Sequence, residues 1–181
     1  MSAPVVEVAL WSVRSDGTPP VPKYMTAGAS GCDLEAAIDA PLELAVLGRT
    51  VVPTGIGIAL PAGYEGQIRP RSGRARRDGL GVLNAPGTID SDYRGEIGVL
   101  LVNLGSEPLT IAPRERIAQL IVAPVVQACF RVVAGPPEEG GNRRGDGGFG
   151  HTGTGASSPE PTATGTATGP GARIAGPALG I

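Results

Sequence analysis

The sequence contains few cysteine, histidine and aromatic residues. Of 181 residues, two are cysteines, one is a histidine, and Phe, Trp and Tyr together make up 3%. Two cysteines do not make a disulfide framework, which favours a reducing cytoplasm, and with one histidine they are too few for a structural zinc site. A core would therefore have to be built from Val, Ile, Leu and Ala.

Long apolar runs, excess positive charge and lysine are also lacking. No stretch approaches 18 apolar residues and the N-terminus has no signal-peptide pattern, so we expect no membrane association. The formal net charge of -2 argues against a nucleic-acid partner. Lys23 is the only lysine, which excludes a Walker-type P-loop. Any bound phosphate must be held by arginine, hydroxyl and backbone groups.

Short segments rich in Val, Ile and Leu recur between turn residues, and this pattern predicts an all-β sandwich or barrel. The sequence has 29 Gly and 18 Pro to supply the turns. The predicted strands are residues 5–13, 32–36, 42–44, 50–53, 56–60, 66–69, 81–83, 96–103, 109–111, 117–122 and 126–133. One helical turn is predicted over residues 72–77, ended by Asp78 and Gly79.

The composition changes near residue 135, where a Gly- and Pro-rich stretch begins. We predict a β-barrel core over residues 1–135, a glycine-rich lid arm over 136–153 and a low-complexity tail over 154–181. The tail is rich in Ala, Gly, Thr and Pro and cannot bury enough apolar area to offset its conformational entropy. We therefore expect it to be disordered and assign it no function.

Two polar segments of the core have both a structural and a functional interpretation. Five arginines lie within residues 69–77, which indicates either a solvated basic face or an anion site where Pro70 and Arg71 open the helical turn. Residues 84–96 (NAPGTIDSDYRGE) lie between two predicted strands and are expected to form a hairpin. A plain turn does not need the aromatic ring and the several carboxylates of that segment.

Two further features are ambiguous in the same way. Asp33 follows a glycine-rich entrance to a strand, where it is either a turn residue or a group that helps to hold a hydrated Mg²⁺. Phe149 is flanked by glycines and has no local core to enter. It belongs either to an inert segment or to a mobile arm that carries a stacking ring to a ligand, with Arg144, His151 and Thr152 as donors beside it.

Taken in order, these segments resemble the five motifs of the trimeric dUTPase family, over roughly residues 4–153. The motifs are residues 27–34 (AGASGCDL), 70–73 (PRSG), 84–95 (NAPGTIDSDYRG), 116–120 (RIAQL) and 144–153 (RGDGGFGHTG). The resemblance implies an all-β subunit with a distorted jelly-roll or β-barrel fold of the β-clip type. It also implies a homotrimer with three active sites built from shared residues, and Mg²⁺-dependent hydrolysis of dUTP to dUMP and pyrophosphate. That reaction keeps uracil out of DNA and supplies dUMP for dTMP synthesis.

The resemblance also implies a role for each matched residue. Asp90 resembles the carboxylate that orients and deprotonates the water attacking the α-phosphorus. Asn84, with the backbone at Thr88 and Ile89, is similar to the uracil reader, and Tyr93 to the ring beneath the deoxyribose. Four residues resemble the phosphate clamp: Arg71, Ser72, Gly73 and Gln119. Asp33 resembles the acidic residue that orients Mg²⁺ through water. Phe149 resembles the lid residue that stacks on uracil, and Arg144, His151 and Thr152 are similar to the residues that approach the terminal phosphates.

Three residues depart from the family pattern. Cys32 stands where an aromatic is frequent, Arg74 where leucine is usual and Arg114 where glycine is common. Two other functions stay open. A dCTP deaminase, alone or bifunctional, is disfavoured by residues 87–90 and the lid around Phe149. A non-catalytic nucleotide sensor on the same barrel is disfavoured by the intact set of catalytic positions.

Overall fold

A computed structural model describes residues 5–15, 17 and 19–135. The chain divides into one unit up to residue 130 and a second unit from residue 131. The predicted lid arm and tail, residues 136–181, lie outside the described residues, and so do Arg144, Phe149, His151 and Thr152. The strands, the helix and the core all belong to the first unit.

The described residues form twelve strands and one short helix. The strands are β1 (Ala9–Ser12), β2 (Lys23–Tyr24), β3 (Cys32–Glu35), β4 (Leu42–Leu44), β5 (Arg49–Pro53), β6 (Ile56–Ala59), β7 (Tyr64–Arg69), β8 (Leu80–Val82), β9 (Gly87–Ile89), β10 (Gly98–Asn103), β11 (Leu109–Ile111) and β12 (Arg116–Pro124), and α1 (Ser72–Asp78) lies between β7 and β8. The predicted helical turn and ten of the eleven predicted strands are thus found, with ends that differ by a few residues.

All strand pairs are antiparallel, and they form four sheets. The largest has the order β2-β3-β12-β7-β9, and the second has the order β5-β10-β8. The pairs β1-β6 and β11-β4 complete the fold. Most neighbours are distant in sequence, as in a distorted jelly roll, so the predicted fold class is confirmed.

The strands alternate between buried and outward residues and enclose one apolar core. In β3, Cys32 and Leu34 are buried whereas Asp33 and Glu35 face outward. The residues of the core are all Val, Ile, Leu, Ala or Cys: Cys32, Leu34, Ala36, Leu44, Val52, Ile56, Ile58, Leu60, Ile68, Leu80, Val82, Ile97, Val99, Leu101, Ile111, Ile117, Ala118 and Leu120. The expectation of a core without aromatic rings is confirmed for the described residues.

The strand predicted over residues 126–133 is wrong. Regular pairing ends at Pro124, and no strand is assigned in the described residues beyond it. Val126, Phe130 and Val132 are 94%, 91% and 97% exposed. The composition favours a strand, but a strand is stable only when a neighbour takes up its backbone hydrogen bonds.

The hairpin predicted around residues 84–96 is confirmed in its flanking strands, because β8 before this segment pairs antiparallel with β10 after it. The connection is longer than a simple turn and contains β9, which pairs with β7 in the other sheet. Pro86 has no N–H to donate across a hairpin, and Gly87 and Ile89 pair with Ile68 and Gly66. The segment therefore links two sheets. Sequence reasoning missed both β9 and the two-residue β2.

Residues 112–115 form a turn that explains one departure from the family pattern. The N–H of Glu115 donates to the carbonyl of Ala112 at 3.1 Å, Pro113 is the second residue, and Arg114 has φ 61. A positive φ in the third position is the mark of a type II turn, where glycine carries no steric cost. The N–H of Arg114 donates to the carbonyl of Ala36 at 2.8 Å, which fixes this backbone in place.

We expect Arg114→Gly to stabilise the fold by up to about 1 kcal/mol, because it removes the left-handed strain of a residue with a side chain. The substitution also removes an Arg114–Glu35 ion pair at 3.3 Å, but Arg114 is exposed and such a pair contributes little. Arg114→Val is the control and should destabilise by about 1–2 kcal/mol, since a β-branched residue fits this φ poorly. Urea unfolding measures both, and the opposite order would contradict the turn assignment.

Candidate active site

Strand β12 brings three polar residues from distant parts of the chain into one row. Gln119 pairs with Asp33 of β3 on one side and with Arg69 of β7 on the other. The neighbouring row, formed by Cys32, Leu120 and Ile68, is buried in the core. Because successive residues point to opposite faces of a sheet, the polar row lies on the outer face.

Asp33 is the centre of an ion-paired group that we call the Asp33 cluster (Asp33, Arg71, Arg116). Its two carboxylate oxygens accept hydrogen bonds from Arg71 Nε at 3.0 Å and from Arg116 Nη1 at 3.0 Å. Arg71 also donates through Nη1 to the carbonyl of Arg116 at 3.1 Å. The Asp33 side chain is only 12% exposed, so its charge is stabilised mainly by these two cations.

Gln119 is held tightly beside this cluster. Its Nε2 donates to the carbonyl of Pro70 at 2.9 Å. A Cβ added at Gly31 would lie 2.6 Å from Gln119 Oε1. The glycine in the first motif therefore leaves the space that this amide occupies.

Helix α1 begins next to these residues with exposed Ser72 and Gly73. Arg71 is the N-cap, has extended φ and ψ, and makes no side-chain capping hydrogen bond. Backbone N–H groups of the first helical turn thus lack a side-chain partner at the cap. Arg71, Gln119 and Asp33 are brought together, and Ser72 and Gly73 follow Arg71 at the start of α1.

The remaining arginines of residues 69–77 do not join the cluster. Arg74 pairs with Asp78 at 2.7 Å and with Glu115, and Arg77 pairs with Asp78 at 2.9 Å. The departure at Arg74 therefore ties the helix to the turn before β12. Arg76 and Arg77 are exposed and fit the interpretation as a solvated basic face. Arg71 fits the interpretation as part of an anion site.

Cys32 is a core residue. Its Sγ donates to the carbonyl of Leu120 at 3.4 Å, and burial, followed by the nearby charge of Asp33, raises the pKa of the thiol. A buried protonated thiol is chemically inert. This departure thus alters packing beneath the cluster and adds no reactive group.

Asp90 lies elsewhere, directly after β9. It is exposed, and among the described residues nothing makes a hydrogen bond or ion pair with its carboxylate. It lines a cleft of about 710 Å³ together with Ala62, Gly63, Tyr64, Glu65, Ser91, Asp92, Val125 and Gln127. Within the described chain, no cation lines this cleft.

The loop after Asp90 is hydrogen-bonded at both ends. The N–H of Tyr93 donates to the carbonyl of Asp90 at 3.1 Å, and the Tyr93 hydroxyl donates to the carbonyl of Glu96 at 2.9 Å. A Cβ added at Gly95 would overlap the Tyr93 hydroxyl and ring, so Tyr93 would have to shift. Glu96 in turn accepts from the N–H of Gly55 at 2.7 Å. Sequence reasoning missed this anchor, since Glu96 is linked to Gly55 only through the fold.

Thr88 and Ile89 lie in β9, directly before Asp90, and Asn84 lies three residues before this strand. A Cβ at Gly87 would come within 3.0 Å of Asn84 Nδ2, so this amide is packed against the backbone of β9. Thr88 is exposed and pairs with Gln67, and Ile89 pairs with Gly66. The uracil-reading candidates therefore belong to the β9 segment that ends next to Asp90.

The structure separates the Asp90 group from the Asp33 cluster. Ile89 pairs with Gly66, so Asp90 lies beside Glu65, whereas Gln119 pairs with Arg69 at the other end of β7. Four residues of strand span about 13 Å, and Arg71 follows two residues after Arg69 in the chain. One chain thus carries two groups of predicted site residues, which we call half-sites, at opposite ends of one strand.

Comparison with known proteins identifies the family. A family model described as dUTPase matches residues 18–153. The deoxyuridine 5'-triphosphate nucleotidohydrolase of Anaeromyxobacter sp. (strain Fw109-5) is 53% identical over 149 residues, which cover 82% of this chain and 98% of that relative. The chain belongs to the dUTPase family.

Solved dUTPases share the fold of this family member. The dUTPase of Staphylococcus bacteriophage 80alpha with dUPNHPP has a TM-score of 0.72 at 22% identity, covering 82% of this chain and 99% of that chain. A mutant of the dUTPase from S. aureus phage phi11, which coordinates a structural Mg(II) ion, has a TM-score of 0.63 at 18% identity, covering 71% and 97%. At such identities the likeness concerns the fold.

The described part of this dUTPase offers neither a preformed metal site nor a membrane span. No group of three or more His, Cys, Asp or Glu side chains could hold a metal ion there. No helix in those residues is long and apolar enough to cross a membrane.

We expect Gly31→Ala to push Gln119 away from Pro70, because the new Cβ would overlap Oε1. The KM for dUTP should rise about three- to tenfold through the lost hydrogen bond, while the free energy of unfolding should change by less than about 1 kcal/mol, since the amide end can move. Gly28→Ala is the matched control in the same loop, as nothing lies within 4 Å of its Cβ. Equal KM values for the two variants would contradict the contact.

Proposed function

We propose that this dUTPase hydrolyses dUTP to dUMP and pyrophosphate through attack of a water molecule on the α-phosphorus, with Asp90 as the general base. The observation that carries the proposal is the exposed Asp90 carboxylate at its cleft, which no described residue pairs with. A carboxylate that is free of protein partners can accept both the hydrogen bond and the proton of a water. The fixed Asp90–Tyr93 turn would hold it in place.

Arg71, Ser72, Gly73 and Gln119 are proposed to bind the phosphates. Two nitrogens of Arg71 are used by Asp33 and by the carbonyl of Arg116. Its Nη2 has no partner among the described residues, so it is left to donate to a phosphate oxygen. Because phosphoryl transfer depends mainly on positioning and charge stabilisation, a guanidinium fixed on one side is well suited to it.

Asn84 and the backbone at Thr88 and Ile89 are proposed to read uracil, and Tyr93 to lie beneath the deoxyribose. Polar groups that match the uracil edge discriminate strongly against cytosine, because a mismatch leaves them unpaired. The Tyr93 hydroxyl donates to the carbonyl of Glu96, and the ring lies close to Gly95. A fixed ring can exclude a 2′-hydroxyl, whereas a mobile one would yield.

We propose Mg²⁺ as the cofactor, bound mainly by the triphosphate. Mg²⁺ usually keeps several waters and uses one or two carboxylates besides phosphates. Each Asp33 oxygen already accepts one arginine donor, which leaves it able to accept a hydrogen bond from a water of the ion and fits the role predicted through water. When bound, Mg²⁺ neutralises phosphate charge.

A homotrimer with shared active sites is proposed from the separation of the two half-sites. Asp90 of one chain must meet the Arg71 group of another for both to act on one dUTP. The sheet β5-β10-β8 offers an apolar outer row for such contacts, formed by Val51, Leu100 and Leu83. Val51 is 61% and Leu83 48% exposed, which is typical of a face that packs against another subunit.

The lid and the compartment complete the proposal. Phe149 would stack on uracil while Arg144, His151 and Thr152 approach the terminal phosphates, and closure of this arm would exclude water. Both cysteines are free, Cys129 being exposed, which suits a reducing cytoplasm.

The direct test is pyrophosphate release from dUTP, compared with dTTP, dCTP and UTP, with and without Mg²⁺. We expect cleavage of dUTP alone, and about a 10²- to 10⁴-fold lower kcat for Asp90→Asn with binding retained, because only the base is removed. Asp92→Asn, a nearby carboxylate of the same cleft, is the control. Ammonia release from dCTP, or near wild-type turnover by Asp90→Asn, would refute the proposal.

Mixed trimers test the shared site. Arg71→Ala and Asp90→Asn chains, each inactive alone, should regain about a quarter of wild-type activity when refolded together at equal amounts, since a site needs one intact group from each of two chains. Mixing Asp90→Asn with an Asp90→Ala chain is the control and should restore nothing. If both groups act from one chain, neither mixture recovers activity.

A further inference from the structure

Arg116 belongs to the fourth motif, and neither the family resemblance nor the proposed mechanism gives its side chain a role. We propose that Arg116 is a positioning residue for phosphate binding, which orients Arg71 by holding the second oxygen of Asp33. This inference rests on the proposed role of Arg71 as a phosphate ligand.

The path from Arg116 to Arg71 consists of short contacts through one carboxylate. Arg116 Nη1 donates to Asp33 Oδ2 at 3.0 Å, and Arg71 Nε donates to Asp33 Oδ1 at 3.0 Å. With both oxygens held, the carboxylate cannot rotate about its last bond without losing a charge-assisted hydrogen bond. Its plane, and with it the guanidinium of Arg71, is therefore fixed.

The backbone of β12 turns Arg116 toward Asp33. The register between β12 and β3 shifts between Arg116 and Ala118, and a bulge of this kind re-aims the side chain beside it. Arg116 is opposite Glu35 in the register, but Glu35 pairs with Arg114 at 3.3 Å. Arg116 is thereby left to Asp33, which lies two residues before Glu35 on the same face.

Charge leads to the same conclusion. Arg71 and Asp33 alone form a neutral pair, whereas the Asp33 cluster with Arg116 has two cations to one carboxylate and so is positive. Arg116 thus shares the charge of Asp33 and relieves Asp33 of part of its pull on Arg71. Without it, a nearly buried carboxylate would bind Arg71 alone and compete with an incoming phosphate.

The test measures binding without relying on catalysis. Phosphorus NMR or calorimetry with inorganic pyrophosphate in EDTA reports the phosphate clamp without metal, and Arg71→Ala shows that the signal comes from the clamp. We expect Arg116→Gln to weaken pyrophosphate binding about tenfold, through the removal of one charge-assisted hydrogen bond. Arg116→Lys, which keeps the charge and a donor, should recover to within about threefold of wild type.

Two further variants separate positioning from general electrostatics. Arg76→Gln removes an equal charge from an exposed site on the same helix as the clamp residues and should weaken binding less than about twofold. The double variant Asp33→Asn with Arg116→Gln should bind no more weakly than Asp33→Asn alone, because Arg116 acts through Asp33. With dUTP, Arg116→Gln should raise KM about tenfold and change kcat less than about threefold.

Several outcomes would overturn the inference. These are unchanged pyrophosphate affinity in folded Arg116→Gln, an affinity decrease no larger than that of Arg76→Gln, an Arg116→Gln chain that does not fold, or a wild-type protein that binds no pyrophosphate. If the expected affinities are found but dUTP is not cleaved, the proposed function fails and the positioning role stands.

Discussion

The placement of β12 between β3 and β7 is the constraint on which the site depends. Pairing on both sides of one strand leaves a single register in which Leu120, Cys32 and Ile68 are buried together. A slip of β12 by one residue would expose Leu120 and turn Gln119 toward the core. Hydrophobic burial therefore fixes the positions of the polar groups one residue away.

A carboxylate that is only 12% exposed sets the next constraint. Asp33 is tolerated in the sheet because two guanidinium groups each donate a hydrogen bond to one of its oxygens. The same hydrogen bonds restrict Arg71 to one orientation. Stability of the sheet and readiness to bind an anion therefore depend on one set of hydrogen bonds, whereas the Asp90 loop depends on a separate anchor at Glu96 and Gly55.

Sequence reasoning found most of what is local. Alternating apolar residues located most strands, and the motifs identified Asp33, Arg71 and Gln119, which the fold brings together. It missed β9, Glu96 and the contact of Arg116 with Asp33, because these depend on pairing between segments far apart in the chain. The same limit explains the wrong strand at residues 126–133, where composition favours a strand but the described residues supply no partner strand.

The separation of the two half-sites along β7 has a consequence for how activity responds to protein concentration. Under the shared-site proposal, the phosphate-binding half and the base half of one chain act on different nucleotides, so turnover follows mass action. At high dilution, the specific activity is then expected to fall as subunits dissociate, although each chain keeps every catalytic side chain.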